Sequence, residues 1–157
     1  MRIVVQKVSQ ASVDVVPESP QEAPFTPQQI GIGYMLLVGV SDTDGTEQVQ
    51  WLARKIAHLR VFEDEQGKMN RSILDVGGSV LSISQFTLFA DVRRGNRPGF
   101  TGAGEPRHAE QLWNTFNTEL ASYGIEVKTG RFGAHMKVAL VNDGPVTINY
   151  DTDILMK

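Results

Sequence analysis

Hydrophobic and polar positions alternate loosely over Arg2 to Val16, with Ile3, Val5, Val13 and Val15 on one parity. This β-branched content predicts a strand, broken near Ser9-Gln10. Pro17, Pro20, Pro24 and Pro27 follow close together; their fixed φ angles and missing N–H donors forbid helix or central sheet, so a surface loop is expected. The apolar run Tyr34 to Val40 reads as a buried strand. Thr46 then stands as an N-cap before Glu47, and Val49, Leu52, Ile56 and Leu59 recur at the spacing of one amphipathic helix. Arg60 to Phe62 predicts a short strand ending in the turn Asp64 to Gly67. Gly77-Gly78 precedes the strongest strand pattern of the chain, Ser79 to Ala90. Asp91 to Gly104 has no period and is expected to be a long loop of the kind that carries function. Pro106 opens a second helix whose apolar face is Leu112, Trp113, Phe116 and Leu120, and Gly124 ends it. Ile125 to Thr129, Lys137 to Val141 and Val146 to Tyr150 read as three short closing strands.

The order of elements lacks the strict βαβα alternation of a doubly wound sheet, which points to the α+β class. The expected architecture is a curled, mainly antiparallel β-sheet or barrel with two amphipathic helices packed outside, formed by residues 1–157 as one domain. With 41% hydrophobic and 21% charged residues, the composition is that of a soluble globular chain rather than a disordered one. Cysteine is absent, which removes disulfides, thiolate metal sites and cysteine nucleophiles and fits a reducing compartment; the cytoplasm is the expected location. Gln6 and Lys7 interrupt the first apolar residues too early for a signal peptide, and no apolar run nears the about 20 residues needed to cross a bilayer. A net charge of −3 argues against coating nucleic acid through global charge. Any RNA contact must come from a local patch.

Several residues are candidates for chemistry. On a strand over Ser79 to Ala90, Gln85 and Thr87 share one face, and Ser84, Phe86 and Leu88 the other. Taken alone, the polar pair is better explained by strand propensity at Thr87 and an edge position of Gln85 facing water. A threonine nucleophile needs a base within hydrogen-bond reach, and this stretch supplies no histidine, lysine or carboxylate. His58, His108 and His135 lack metal-binding spacing, so neither a metal nor any other cofactor is expected. No Gly-x-Ser-x-Gly elbow occurs, and Gly102-Ala103-Gly104 lacks the Lys-Ser/Thr of a phosphate loop. Arg93, Arg94, Arg97 and Arg107, with Phe100 among them, form a small basic stretch. It reads either as a solvated loop or as a contact for the phosphates and adenosine of an RNA end, which Lys128 and Arg131 would extend if folding brought them near.

Ser84-Gln85-Phe86-Thr87-Leu88, Asn142-Asp143-Gly144-Pro145-Val146-Thr147 and Arg131-Phe132-Gly133-Ala134-His135-Met136 resemble the signatures of the D-aminoacyl-tRNA deacylase (D-tyrosyl-tRNA deacylase) family. The likeness runs nearly end to end, through Val4 to Val8, Ala11 to Val13, Arg60 to Asp64 and Gly67 to Asn70. The resemblance implies hydrolysis of D-aminoacyl-tRNA and glycyl-tRNA by a homodimer with active sites at the subunit interface, and neither a membrane nor DNA as a partner. It also implies roles for particular residues. Ser84, Gln85, Phe86 and Thr87 are catalytic, with backbone N–H groups around the last three at the oxyanion and the terminal ribose 2′-OH assisting. Phe132, Ala134 and Met136 line the amino-acid pocket. Gly144 and Pro145, joined by a cis bond, present carbonyls to the α-amino group of substrate in the other subunit. For such a substrate the basic stretch Arg93, Arg94, Arg97 and Arg107 is the candidate tRNA contact. Two features depart from the family: the long connection Pro17 to Gln29, and Lys7 where arginine is usual, which bears on how the Gly-Pro segment is oriented. A catalytically silent RNA-binding module and a small esterase with Thr87 as nucleophile are the rival readings.

Overall fold

The computed structural model describes residues 1–157. Its organising element is β1 (Arg2–Val15), which uses both edges. One edge pairs antiparallel with β2 (Gln28–Ile30) and β3 (Gly33–Gly39), and the other pairs along its length with β8 (Met136–Asp151). From β3 the sheet continues in parallel through β6 (Ser79–Ser84) to β7 (Glu126–Thr129). The result is a nearly closed mixed barrel, antiparallel around β1 and parallel across β3, β6 and β7. The parallel part follows from long crossovers, because parallel neighbours cannot be joined by a tight hairpin. The first crossover carries α1 (Thr46–Ala57), the hairpin β4 (Phe62–Glu63) and β5 (Met69–Arg71), and the short α2 (Ile73–Val76); the second carries α3 (Pro106–Ser122). A single turn, α4 (Thr152–Leu155), follows β8.

The apolar faces meet as their spacing predicts. Val49, Leu52 and Ile56 of α1 and Leu112, Phe116 and Leu120 of α3 are buried in one cluster with Ile3, Val5, Tyr34 and Leu36. A second cluster holds Val8, Ala11, Val13, Ile30, Met35, Leu81 and Ile83. Because β3 contributes Tyr34 and Leu36 to the first cluster and Met35 to the second, both its faces are covered. This explains its unbroken hydrophobic sequence.

Three strand boundaries differ from expectation, each for a local reason. β1 does not break near Ser9-Gln10; its register with β8 shifts there and the strand continues. The last two of the three expected closing strands, Lys137 to Val141 and Val146 to Tyr150, are one strand, β8. Between the pairs Gln6↔Thr147 and Val8↔Asn142, the single residue Lys7 faces the four residues Asp143 to Val146, so Gly144-Pro145 sits on a wide bulge. The third difference concerns Ser79 to Ala90. The strand stops at Ser84, and Phe86–Phe89 form a 3-10 turn. Gln85 and Thr87 therefore do not share a strand face; they lie in one tight turn.

Candidate active site

That turn is fixed by its neighbours on β3. The Gln85 N–H donates to the Val38 carbonyl at 2.7 Å, prolonging the parallel pairing by one residue before the chain bends. Gly39 makes room for the bend: a Cβ there would lie 3.0 Å from the Phe89 ring, 3.1 Å from the Gln85 carbonyl oxygen and 3.2 Å from the Leu88 Cβ. The long loop returns to the same strand end, where the Gly104 N–H donates to the Val40 carbonyl at 2.9 Å. A Cβ on Gly104 would approach the Ser41 backbone carbon to 3.0 Å. Two glycines thus let two connections close over one end of the β3/β6 pair.

Between them opens a cavity of about 540 Å³. Ser84, Gln85 and Phe86 line one side, and Phe132, Ala134 and Met136 another, so the structure brings together two sequence segments separated by the whole of α3 and β7. Eleven of the seventeen lining residues are hydrophobic, which suits an organic side chain more than a free ion. Trp113 of α3 forms part of the wall, its ring centroid 6.0 Å from that of Phe132. Its indole N–H donates to the buried Ser82 hydroxyl at 2.9 Å. Trp113 reads from sequence as a core residue on a helical stripe, and it is one; its second role has no signal in the periodicity. The serine inside the otherwise apolar Val80-Leu81-Ser82-Ile83 is the one hint that an indole needed a partner. His135 also lines the cavity, whereas the other histidines are engaged elsewhere: His58 stands edge-on to Tyr123, and the His108 Nε2 lies 3.1 Å from the Asp44 carbonyl oxygen.

Of the three N–H groups expected at the oxyanion, one is not free. The Gln85 N–H is already spent on Val38, which withdraws it. The Phe86 and Thr87 N–H groups open a 3-10 turn, and the first donors of any helical segment lack partners within it. Thr87 is exposed and outside the cavity lining. Its hydroxyl pairs with the Gln85 side-chain amide, and an amide is not a base. Phe86 is 58% exposed and meets Phe100 edge-on, with centroids 5.0 Å apart.

The arginines are dispersed. Arg93 is held by Asp91, whose carboxylate accepts from Nε at 2.9 Å and Nη2 at 2.7 Å. Hydrogen bonds from the Arg93 side chain and backbone bring the Asp91 carboxyl down to about 2. Arg94 and Arg97 are exposed on the loop. Arg107 borders a separate shallow polar groove on α3 with Glu110 and Asn114. Lys128 and Arg131 do not extend the basic stretch: the Lys128 Nζ donates to the Gln29 carbonyl at 2.8 Å, and Arg131 pairs with Glu22 at 3.1 Å.

Gly144 and Pro145 are exposed on the β8 bulge, are joined by a cis bond, and are absent from the cavity lining. Lys7, opposite the bulge, is buried with its ammonium 5.5 Å from the Phe62 ring centroid. It makes no hydrogen bond to either residue's carbonyl, so it does not take over the orienting role expected of arginine there. No helix is long and apolar enough to cross a membrane.

The family profile described as D-Tyr-tRNA(Tyr) deacylase matches residues 4–151. A D-aminoacyl-tRNA deacylase of Bifidobacterium adolescentis is 69% identical over 99% of each chain. One of Thermomicrobium roseum is 55% identical over 97% of this chain and 94% of its own. Among solved structures, the c-Myc DNA Unwinding Element Binding Protein superposes with a TM-score of 0.83 at 40% identity, covering 96% of this chain and 98% of its own. A probable eukaryotic D-amino acid tRNA deacylase shares the fold, with a TM-score of 0.76 at 16% identity over 95% and 97% of the two chains. With two of the three signature segments, Ser84 to Phe86 and Phe132 to Met136, meeting at one cavity and full-length relatives at this level of identity, the chain belongs to the D-Tyr-tRNA(Tyr) deacylase family and is a hydrolase, a D-aminoacyl-tRNA deacylase.

Proposed function

We propose that the protein proofreads chirality in the cytoplasm, cleaving the esters of both D-aminoacyl-tRNA and glycyl-tRNA as a homodimer whose active sites are completed across the subunit interface. The observation that carries this reading is the meeting of the Ser84-Gln85-Phe86 turn with the Phe132, Ala134 and Met136 wall around one cavity, while Gly144 and Pro145 stand exposed outside it. In this reading Ser84 and Gln85 shape the floor, the wall lines the amino-acid pocket, and a D side chain points outward. The Phe86 and Thr87 N–H groups face the oxygen that gains charge as the ester carbonyl is attacked. The ester is already activated, so orientation and an oxyanion partner suffice without a side-chain nucleophile. Water adds to the carbonyl carbon with help from the terminal ribose 2′-OH, the ester C–O bond breaks, and free amino acid and tRNA leave.

The partner's Gly144 and Pro145 carbonyls hold the substrate ammonium in this scheme, leaving no room for an L side chain. Glycine has nothing to reject and is cleaved as well. Arg94 and Arg97, with Arg93 and Arg107 at lower weight, meet tRNA phosphates. The test is amino-acid release from matched tRNAs charged with D-tyrosine, L-tyrosine and glycine, with a chelator present, alongside sedimentation to obtain the oligomeric state. Release of D-tyrosine and glycine but not L-tyrosine by a dimer is expected. A gel shift without release would favour the silent RNA binder, and a burst with a trapped acyl-Thr87 would favour the esterase.

A further inference from the structure

The turn that carries the Phe86 and Thr87 N–H groups is held at its far end by Arg2, the first residue of β1. Arg2 stands directly opposite Gly39 on β3 and Asp151 on β8, and residues so paired project to the same face of a sheet. Gly39 has no side chain, and the Phe89 ring takes up the space above it. The Arg2 guanidinium lies 4.5 Å from the centroid of that ring. Its Nη1 donates to the Leu88 carbonyl at 3.0 Å, and its Nε to the Asp151 Oδ2 at 3.0 Å. Asp151 is itself fixed, because its Oδ1 accepts the Asp153 N–H at 3.0 Å and so caps α4. One arginine thus ties β1, the turn and the end of β8 together.

These contacts fall where the turn cannot support itself. The last carbonyls of a helical segment have no partner inside it, and Leu88 is next to last in Phe86–Phe89. A guanidinium at that carbonyl both bonds it and complements the negative end of the turn. Phe89 is the buried anchor of the turn, and the cation over its ring adds a second hold on the same residue pair. An exposed ion pair alone holds little. Arg2 and Asp151 are both partly buried, and a planar fork that meets a carboxylate, a carbonyl and a ring at once has one orientation, which a compact ammonium does not reproduce. The Gln85 N–H fixes the start of the turn on Val38 and Arg2 fixes its end, so the N–H groups between them are set from both sides.

We propose that Arg2, oriented by Asp151, is a positioning residue for deacylation: it clamps the end of the 3-10 turn and so keeps the Phe86 and Thr87 N–H groups aimed at the reacting carbonyl oxygen. This rests on the reading that those donors meet the oxyanion. The test compares wild type with Arg2→Ala, Arg2→Met, Arg2→Lys, Asp151→Asn and the double variant Arg2→Ala with Asp151→Asn. Amide hydrogen exchange is followed at Leu88 and Ala90, whose N–H groups close the turn on the Gln85 and Thr87 carbonyls, and kcat and KM are measured for D-tyrosyl-tRNA. Arg2→Met keeps the apolar stem of the side chain and guards against a loss of folding. Arg2→Ala and Arg2→Met are expected to speed exchange at both amides and to lower kcat about tenfold with KM little changed, because the displaced donors matter only as charge develops on the oxygen. Arg2→Lys recovers part of the rate. Asp151→Asn, which still caps α4 but frees the guanidinium, gives a smaller loss of kcat and adds nothing once Arg2 is gone. Unchanged exchange in Arg2→Ala and Arg2→Met would overturn the proposal, as would a higher KM at constant kcat or additive losses in the double variant. Faster exchange with both constants unchanged would overturn it by a different route, because the turn would then be held by Arg2 yet carry no oxyanion.

Discussion

The turn Phe86–Phe89 and the loop Asp91 to Gly104 are separated by one residue and are held in opposite ways. The turn is pressed onto β3 through Gly39 and pinned by Val38, so its backbone donors have one placement. The loop is closed at its neck by the paired Asp91 and Gly99 backbone bonds of 2.7 and 2.9 Å and by Arg93, while Val92 to Gly99 stands exposed. A donor aimed at a reacting oxygen must be placed to a fraction of an ångström, whereas a cation meeting a phosphate acts over several. Under the proposed function, rigidity is concentrated at the turn where the ester reacts and relaxed on the loop that meets tRNA.

The contrast is broken most severely from beneath the turn. Gly39→Val places a branched side chain against Phe89, Leu88 and the Gln85 carbonyl, and deacylation of D-tyrosyl-tRNA is expected to fall about 100-fold as the donors shift; circular dichroism would show the barrel retained. Ser82→Ala removes the only partner of the Trp113 indole N–H while leaving the cavity lining itself intact. It is expected to cost about 1–3 kcal/mol in urea denaturation. On the loop, replacing Arg94 and Arg97 together by alanine should reduce the salt dependence of tRNA binding by about one unit of slope per arginine and leave kcat near wild type. Arg93→Ala should do less, because its charge already answers Asp91.

Two smaller effects sharpen the comparison. Thr87→Ala is expected to stay within about tenfold of wild-type deacylation, short of the 10²–10⁴-fold loss that follows removal of a group moving a proton. A trapped acyl-enzyme would contradict this. Acidification from pH 7 to pH 5 should leave the neck of the loop unchanged in backbone NMR shifts. The Asp91 carboxyl is depressed in the folded protein to about 2, so its contribution is complete above the ordinary carboxylate range and is lost only as pH falls through that lower value.

Legibility in the sequence followed the range of the interaction. The stripes Val49, Leu52, Ile56 and Leu112, Phe116, Leu120 are readable because helical burial repeats every three or four residues. The end of β6 is not, since Phe86-Thr87-Leu88 is as β-prone as the strand before it; what bends the chain is the space left by Gly39, a neighbour through the sheet. The parallel pairing of β3, β6 and β7 depends on where the crossovers pack, which no local pattern records. The candidate residues of the cavity were readable only through resemblance. The grip of Glu22 on Arg131 joins positions 109 residues apart, and the basic stretch seen in one dimension lost Arg131 to the proline-rich connection and Lys128 to β2 for the same reason.

The bulge on β8 bears on colloidal behaviour as well. β8 is 16 residues long and pairs with β1 on one side only, leaving its other edge without a partner within the chain. An uninterrupted edge of that length is a template on which further strands can add without end. Pro145 has no N–H to offer such a strand, and the four residues set against Lys7 throw the two halves of the edge out of a common register. The strand can therefore meet another surface in a defined way while resisting growth into fibrils.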